Sequence, residues 1–170
     1  MIPILTNKTT GPLPSLEEGF IVLIHKEADW TSFDVVKKLR SYLRVKKAGH
    51  GGTLDPFATG LLIIGVGKGT RHLQRFSGLH KTYRAVIRFG EETDTYDCTG
   101  KIIDRKDVSA LDVRYIEEAV ATMQGEILQV PPMYSAKKVN GVRLYKLARK
   151  NVEVRREPVK VRIYKSEIVS

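Results

Sequence analysis

The sequence predicts an α+β fold built on a mixed, largely antiparallel sheet flanked by helices. Three observations carry that prediction. Short apolar runs rich in β-branched residues stand singly between amphipathic helical segments, with no internal repeat. One run, Lys81 to Phe89, alternates strictly, as a half-buried strand beside an antiparallel neighbour would. At 170 residues, 42% hydrophobic and 28% charged, the composition sits near the globular average and supports one core.

Residues 1–19, with Pro3, Pro12 and Pro14 among Thr, Lys and Glu, read as a flexible N-terminal tail. Phe20 to His25 is a buried strand. Thr31 or Ser32 then offers a capping hydroxyl, and Val36, Leu39 and Leu43 fall on one helical face, with Lys37, Lys38, Arg40 and Arg44 mostly off it. Gly49 to Gly60 is a loop and Leu61 to Val66 a second strand, after which Thr70 caps a short helix through Phe76. Ile116, Ala119, Val120 and Met123 mark a helix from about Asp112, closed by Gly125. Gln129 to Lys150, with Pro131, Pro132, Asn140 and Gly141 ahead of a basic helical turn, is an excursion from the sheet. Val159, Val161 and Ile163 form a late strand.

Composition excludes several classes. The longest apolar stretch, Leu61 to Val66, is far short of the roughly 20 residues of a membrane span, and the N-terminus lacks the basic start and long apolar core of a secretory signal. Cys98 is the sole cysteine, so no intrachain disulfide and no cysteine-based zinc site is expected, which suits a reducing cytoplasm. The net charge is +10 and unevenly placed. Lys37 to Lys47 holds six bases and no acid, Lys137 to Lys165 eleven bases against two acids, and Glu91 to Glu118 nine acids against four bases. Such polarity suits a polyanionic partner; the plainer reading is charge that keeps the fold soluble.

The stretch Gly49-His50-Gly51-Gly52-Thr53-Leu54-Asp55-Pro56-Phe57-Ala58-Thr59-Gly60 sets one carboxylate among residues chosen for backbone shape. Gly51 and Gly52 permit close backbone approach, Pro56 biases Asp55 towards an extended conformation, and Leu54 and Phe57 are expected to wall the carboxylate with apolar surface. Asp55 is then a nucleophile or base, or it is a turn residue bonded to its own backbone; the residues alone leave both open. Tyr83 likewise either joins Ala85, Ile87 and Phe89 on a core face or offers a ring to a base. The run Gly65-Val66-Gly67-Lys68-Gly69-Thr70 has glycines after a strand, but Gly69 separates Lys68 from Thr70 and breaks the phosphate-loop order.

These residues resemble a family. His50-x-Gly-x-Leu54-Asp55-x-x-Ala58-x-Gly60 is similar to the signature of the TruB-type tRNA pseudouridine synthases, and Lys81-Thr82-Tyr83 to their basic-x-Tyr motif. The resemblance continues through Thr93-Asp94-Thr95-Tyr96-Asp97 and Gly100, through Gln129-Val130-Pro131-Pro132-Met133-Tyr134-Ser135-Ala136-Lys137-Lys138, and through Gly141, Arg143, Leu144, Tyr145 and Ala148. It runs from about Gly19 to the end of the chain in ordered blocks.

The resemblance implies a pseudouridine synthase-like catalytic domain over residues 20–170, partial at its C-terminus, with residues 129–156 closing over RNA like a thumb. It implies an isomerase that converts the uridine at position fifty-five in the T-loop of tRNA to pseudouridine in the cytoplasm, with no metal and no organic cofactor. Asp55 is the catalytic carboxylate. Tyr83 stacks on the uracil and His50 lies against the RNA at the flipped nucleotide. Lys81, Gly51, Asp97, Lys137, Lys138 and Arg143 complete the RNA-binding set. The partner is the tRNA T-arm stem-loop, with no membrane and no obligate protein partner evident.

Two departures stand out. Where the family usually has Lys-Pro-x-Gly-x-Thr-Ser, this chain has Lys26-Glu27-Ala28-Asp29-Trp30-Thr31-Ser32, without the proline and glycine. The family block that supplies an arginine to the catalytic aspartate, and the small RNA-binding domain after it, have no counterpart up to Ser170. The alternative expectation is therefore a non-catalytic RNA-binding fragment or pseudoenzyme.

Overall fold

A computed structural model describes residues 2–135, 137–139, 141–150 and 152–169. The chain divides into two compact units, residues 1–83 and 84–170.

The first unit is built on a four-stranded sheet. β1 (Ile4–Leu5) runs parallel to β2 (Phe20–Lys26), which pairs antiparallel along its whole length with β4 (Gly60–Val66); β3 (Ala48–His50) pairs antiparallel with the other edge of β4. Two residues of the stretch expected to be a tail thus lie in the sheet. Ile21 N–H donates to Pro3 O at 2.9 Å, and Leu5 packs against the core, so an apolar pair beside an open strand edge is enough to order this segment. The expected loop from Gly49 likewise begins as strand, through Gly49↔Gly65 and His50↔Ile64.

Period-two alternation decides which face of the sheet is covered. Phe20, Val22 and Ile24 stand opposite Val66, Ile64 and Leu62, and α1 (Ser32–Leu43) packs on that face through Val35, Val36 and Leu39. Thr31 caps α1 in a reciprocal capping box: its hydroxyl accepts from Asp34 N–H, and the Asp34 carboxylate accepts from Thr31 N–H at 3.0 Å. A left-handed Arg44 ends the helix, with Val45 N–H donating to Arg40 O at 3.0 Å.

Beyond β4 the chain tightens into a 3-10 turn (Gly67–His72) followed by α2 (Leu73–Ser77). Thr70 does not cap a helix as expected; it lies inside the 3-10 turn, and its hydroxyl donates back to Gly67 O at 2.9 Å. The phosphate-loop-like glycines have a packing reason. A Cβ on Gly69 would lie 2.2 Å from Phe20 O, and one on Gly19, at φ +73, would lie 2.4 Å from Gly69 N, so two backbone segments touch where no side chain fits.

Lys81 to Phe89 is not a strand. The segment is exposed throughout, with Val86 98% accessible, and no strand among the described residues pairs with it. Alternation states what a strand would bury but does not supply the neighbour that buries it.

In the second unit β5 (Glu91–Thr93) pairs antiparallel with β6 (Ile102–Arg105). α3 (Val113–Thr122) starts beside Asp112, where a helix is expected, with the Asp112 side chain capping it, and ends before Gly125, whose φ of +96 turns the chain into β7 (Gly125–Gln129). β7 pairs antiparallel with β10 (Val159–Ile163). Between them, β8 (Lys138–Val139) and β9 (Val142–Arg143) form a hairpin whose two-residue connection includes Gly141 at φ +80, followed by α4 (Leu144–Ala148).

Gly69→Ala should destabilise the protein by at least about 2 kcal/mol, because a backbone carbonyl cannot yield as a flexible side chain can. Gly52→Ala, where nothing lies within 4 Å of the added methyl, should stay within about 0.5 kcal/mol of the parent. Urea denaturation of both variants measures the contrast.

Candidate active site

The signature loop leaves β3 at His50 and returns to β4 at Gly60. Gly51 N–H donates to Ile63 O at 2.8 Å, which holds the start of the loop to the sheet. His50 Nδ1–H donates to Gly52 O. That bond fixes the proton on Nδ1, so a neutral His50 presents Nε2 as an acceptor; donation from Nε2 to a phosphate needs the imidazolium.

Asp55 opens a turn closed by Ala58 N–H donating to Asp55 O at 3.1 Å, with Pro56 at the second position that fits its fixed φ. The turn reading is therefore right for the backbone. It is not right for the side chain: Asp55 is exposed, and no hydrogen bond or ion pair among the described residues holds its carboxylate. The expected apolar wall is also absent. Leu54 is half-buried and Phe57 is 39% exposed, so neither dries the carboxylate.

The fixed pose comes from residues whose role the motif did not reveal. Ser32 is 2% exposed; its hydroxyl accepts from Leu54 N–H at 2.9 Å and donates to Leu54 O at 3.2 Å. Lys26 is fully buried, and its ammonium donates to Glu27 O at 2.9 Å, Trp30 O at 2.7 Å and Pro56 O at 3.0 Å. Three donors meet three carbonyls, which offsets the cost of burying the ammonium. Pro56 O also accepts from Asp29 N–H at 2.9 Å. The residues on either side of Asp55 are thus anchored to α1 and to the β2–α1 turn, while its carboxylate stays free.

A sequence signal for Lys26 existed. In β2 the core-facing positions are Phe20, Val22, Ile24 and then Lys26, so a lysine continues an apolar alternation. The sequence offers Ser32 only as a candidate cap; Thr31 takes that role and leaves the Ser32 hydroxyl for the loop. The missing glycine of the β2–α1 turn is accounted for as well. Asp29 stands at that position with φ +65, a left-handed conformation that Asp tolerates better than most residues.

Tyr83 is 72% exposed, and no hydrogen bond joins it to the Asp55 loop among the described residues. Lys81 turns back on its own chain, its ammonium donating to Ser77 O at 2.7 Å and Leu79 O at 3.0 Å at the end of α2. Asp97, in the second unit, gathers Thr95 Oγ1–H at 2.7 Å, Thr99 N–H at 2.8 Å and Thr99 Oγ1–H at 2.6 Å on one oxygen. Burial pushes the Asp97 carboxyl up, but the bonds from Thr99 and Thr95 outweigh it and hold it below its ordinary 3.8. Asp97 therefore organises its own hairpin connection. In the segment expected to close over RNA, Lys137, Arg143, Lys146, Arg149 and Lys150 are exposed, and the Arg149 guanidinium lies 5.6 Å from the Tyr145 ring centre. Ala136, Asn140 and the side chain of Lys138 lie outside the described residues. No group of three or more metal-ligating side chains occurs among the described residues.

Set beside known proteins, the chain has a family. The description "TruB family pseudouridylate synthase (N terminal domain)" matches residues 40–170, and the chain belongs to that family. It is 48% identical over 149 residues to the tRNA pseudouridine synthase B of Aquifex aeolicus, covering 88% of this chain and 52% of that protein. To the enzyme of the same name from Protochlamydia amoebophila it is 45% identical over 165 residues, covering 96% and 62%. The chain thus spans half to three-fifths of the length of these relatives. The crystal structure of a Cbf5-Nop10-Gar1 complex superposes with a TM-score of 0.48 at 26% identity, over 72% of this chain and 32% of that one, a likeness too slight to add to the family match.

Lys26→Met removes the donor and leaves three carbonyls short of a partner, and should cost about 3 kcal/mol in urea denaturation. Ser32→Ala should cost about 1 kcal/mol and selectively speed hydrogen exchange at the Leu54 amide. Because the folded Asp97 carboxyl is depressed, its stabilising contribution is present above its unfolded value and lost as pH falls through its folded one. The Thr99 amide should therefore keep its exchange protection above about pH 4 and lose it below, and Asp97→Ala should lack that acid transition.

Proposed function

We infer that this chain acts on tRNA, isomerising the T-loop uridine at position fifty-five to pseudouridine with Asp55 as the catalytic carboxylate. The observation that supports this most is the contrast within the loop. Leu54 and Pro56 are tied down by Ser32, Lys26 and Asp29, whereas the Asp55 carboxylate is exposed and uncommitted. A carboxylate whose purpose was to close a turn would spend its oxygens on nearby amides, as Asp34 and Asp97 do. The relatives' shared name, tRNA pseudouridine synthase B, supports the substrate class.

The reaction conserves composition. The bond from uracil nitrogen to the ribose anomeric carbon breaks, the base turns, and a bond from its fifth carbon to the same ribose carbon forms; the proton lost at that base carbon is balanced by one gained at nitrogen. Asp55 attacks an electrophilic carbon or stabilises positive character at the sugar, the roles carboxylates fill in glycoside chemistry. The base must leave the folded RNA to be reached. We assign Tyr83 to stack on it, His50 and Gly51 to the neighbouring backbone, Lys81 and Asp97 to shaping their own segments, and Lys137, Lys138 and Arg143 to phosphates. We place the reaction in the cytoplasm, which suits a sequence with a single cysteine.

Asp55→Asn should abolish pseudouridine formation on a T-arm stem-loop while changing RNA affinity less than about threefold, read by mass-labelled product analysis and filter binding. Parent protein that binds RNA without forming product would instead favour a non-catalytic RNA-binding fragment.

A further inference from the structure

Along the polar side of α1 lies a hollow of about 510 Å³ lined by Asp29, Trp30, Asp34, Lys37, Lys38 and Ser41. Its size falls within the roughly 300–1,000 Å³ typical of small-molecule sites. Asp34, Lys37, Lys38 and Ser41 recur at helical spacing, so α1 presents them on one face, away from Val36 and Leu39. Asp34 is committed to the capping box with Thr31. No ion pair among the described residues engages Lys37 or Lys38, and the Trp30 side chain makes no hydrogen bond among them while its residue is 41% exposed.

Trp30 is held to the same anchor as the catalytic loop: the Lys26 ammonium bonds both Trp30 O and Pro56 O, and Asp29 N–H bonds Pro56 O as well. An aromatic plane beside two ammonium groups, one of which (Lys37) also faces the Asp34 carboxylate, offers an unpaired nucleotide a ring for its base to stack on and cations for its phosphate. We propose that this groove is a subsite for an unpaired nucleotide of the RNA substrate, close in sequence to the target uridine, with its base on Trp30 and its phosphate on Lys37 and Lys38. The subsite rests on the reading that the substrate is RNA; it adds a point of grip outside the signature loop.

Trp30 is the only tryptophan, so fluorescence excited selectively at tryptophan reports on this groove alone. A T-arm stem-loop RNA should quench it saturably, and a fully paired RNA duplex of equal length should not. Trp30→Ala should weaken stem-loop binding roughly tenfold, with Trp30→Phe recovering most of the loss. The pair Lys37→Glu and Lys38→Glu should lower the salt slope of binding by about 2. Melting curves confirm that each variant is folded. Unchanged fluorescence at RNA concentrations that filter binding shows to be saturating, equal quenching by the duplex, or parental affinity in Trp30→Ala overturns the subsite, as does failure of the stem-loop to bind. Product without quenching leaves the isomerase reading standing and the subsite refuted; quenching without product does the reverse.

Discussion

The buried ammonium of Lys26 is the interaction on which the rest of the candidate site depends. It ends β2 on the core side of the sheet, where water cannot satisfy it, and its three donors are met only if Glu27, Trp30 and Pro56 all turn their carbonyls inward. Those carbonyls belong to the β2–α1 turn and to the signature loop, 30 residues further along the chain. One unsatisfied polar group would cost more than most surface contacts contribute, so the three segments are ordered together.

That coupling makes sense of a site with a rigid backbone and a free side chain. The Ser32 hydroxyl bonds both backbone groups of Leu54, and Pro56 is fixed from the other side, so Asp55 is carried on a short span between two anchors. In the proposed role the Asp55 carboxylate must be positioned without being neutralised by its own supports, and main-chain anchoring of its neighbours allows this. The same anchors carry Trp30, which puts an aromatic ring and the basic face of α1 on the framework that holds the loop. Asp29 contributes by accepting a left-handed conformation in the β2–α1 turn, which Asp tolerates better than most residues.

The second unit is organised differently. Its local shapes come from short-range hydrogen bonds: Asp112 capping α3, Asp97 gathering Thr95 and Thr99, and the hairpin joining β8 and β9. Among its described residues few are buried, Pro131, Leu144 and Ala148 being the main ones. Long-range packing plays the larger part in the first unit, where Phe20, Val36, Ala48, Leu62, Ile64 and Val66 form one cluster.

What the sequence by itself determined is local and periodic. The strands at Phe20 and Leu61, the helix over Val36, Leu39 and Leu43 and the helix start near Asp112 were legible because each signal lies within a few neighbouring residues. The signature loop and the identity of Asp55 as its sole carboxylate were legible for the same reason. Only the tertiary structure decided which groups meet across distance. It showed that Lys26 and Ser32 hold a loop far along the chain, that the glycines at 65, 67 and 69 lie against backbone atoms, that Ile4 and Leu5 join the sheet, and that the alternation from Lys81 to Phe89 finds no partner strand among the described residues. Periodicity encodes the face a segment wishes to bury; the partner that buries it, and the carbonyls that satisfy a buried ammonium, are supplied by chain closure in three dimensions.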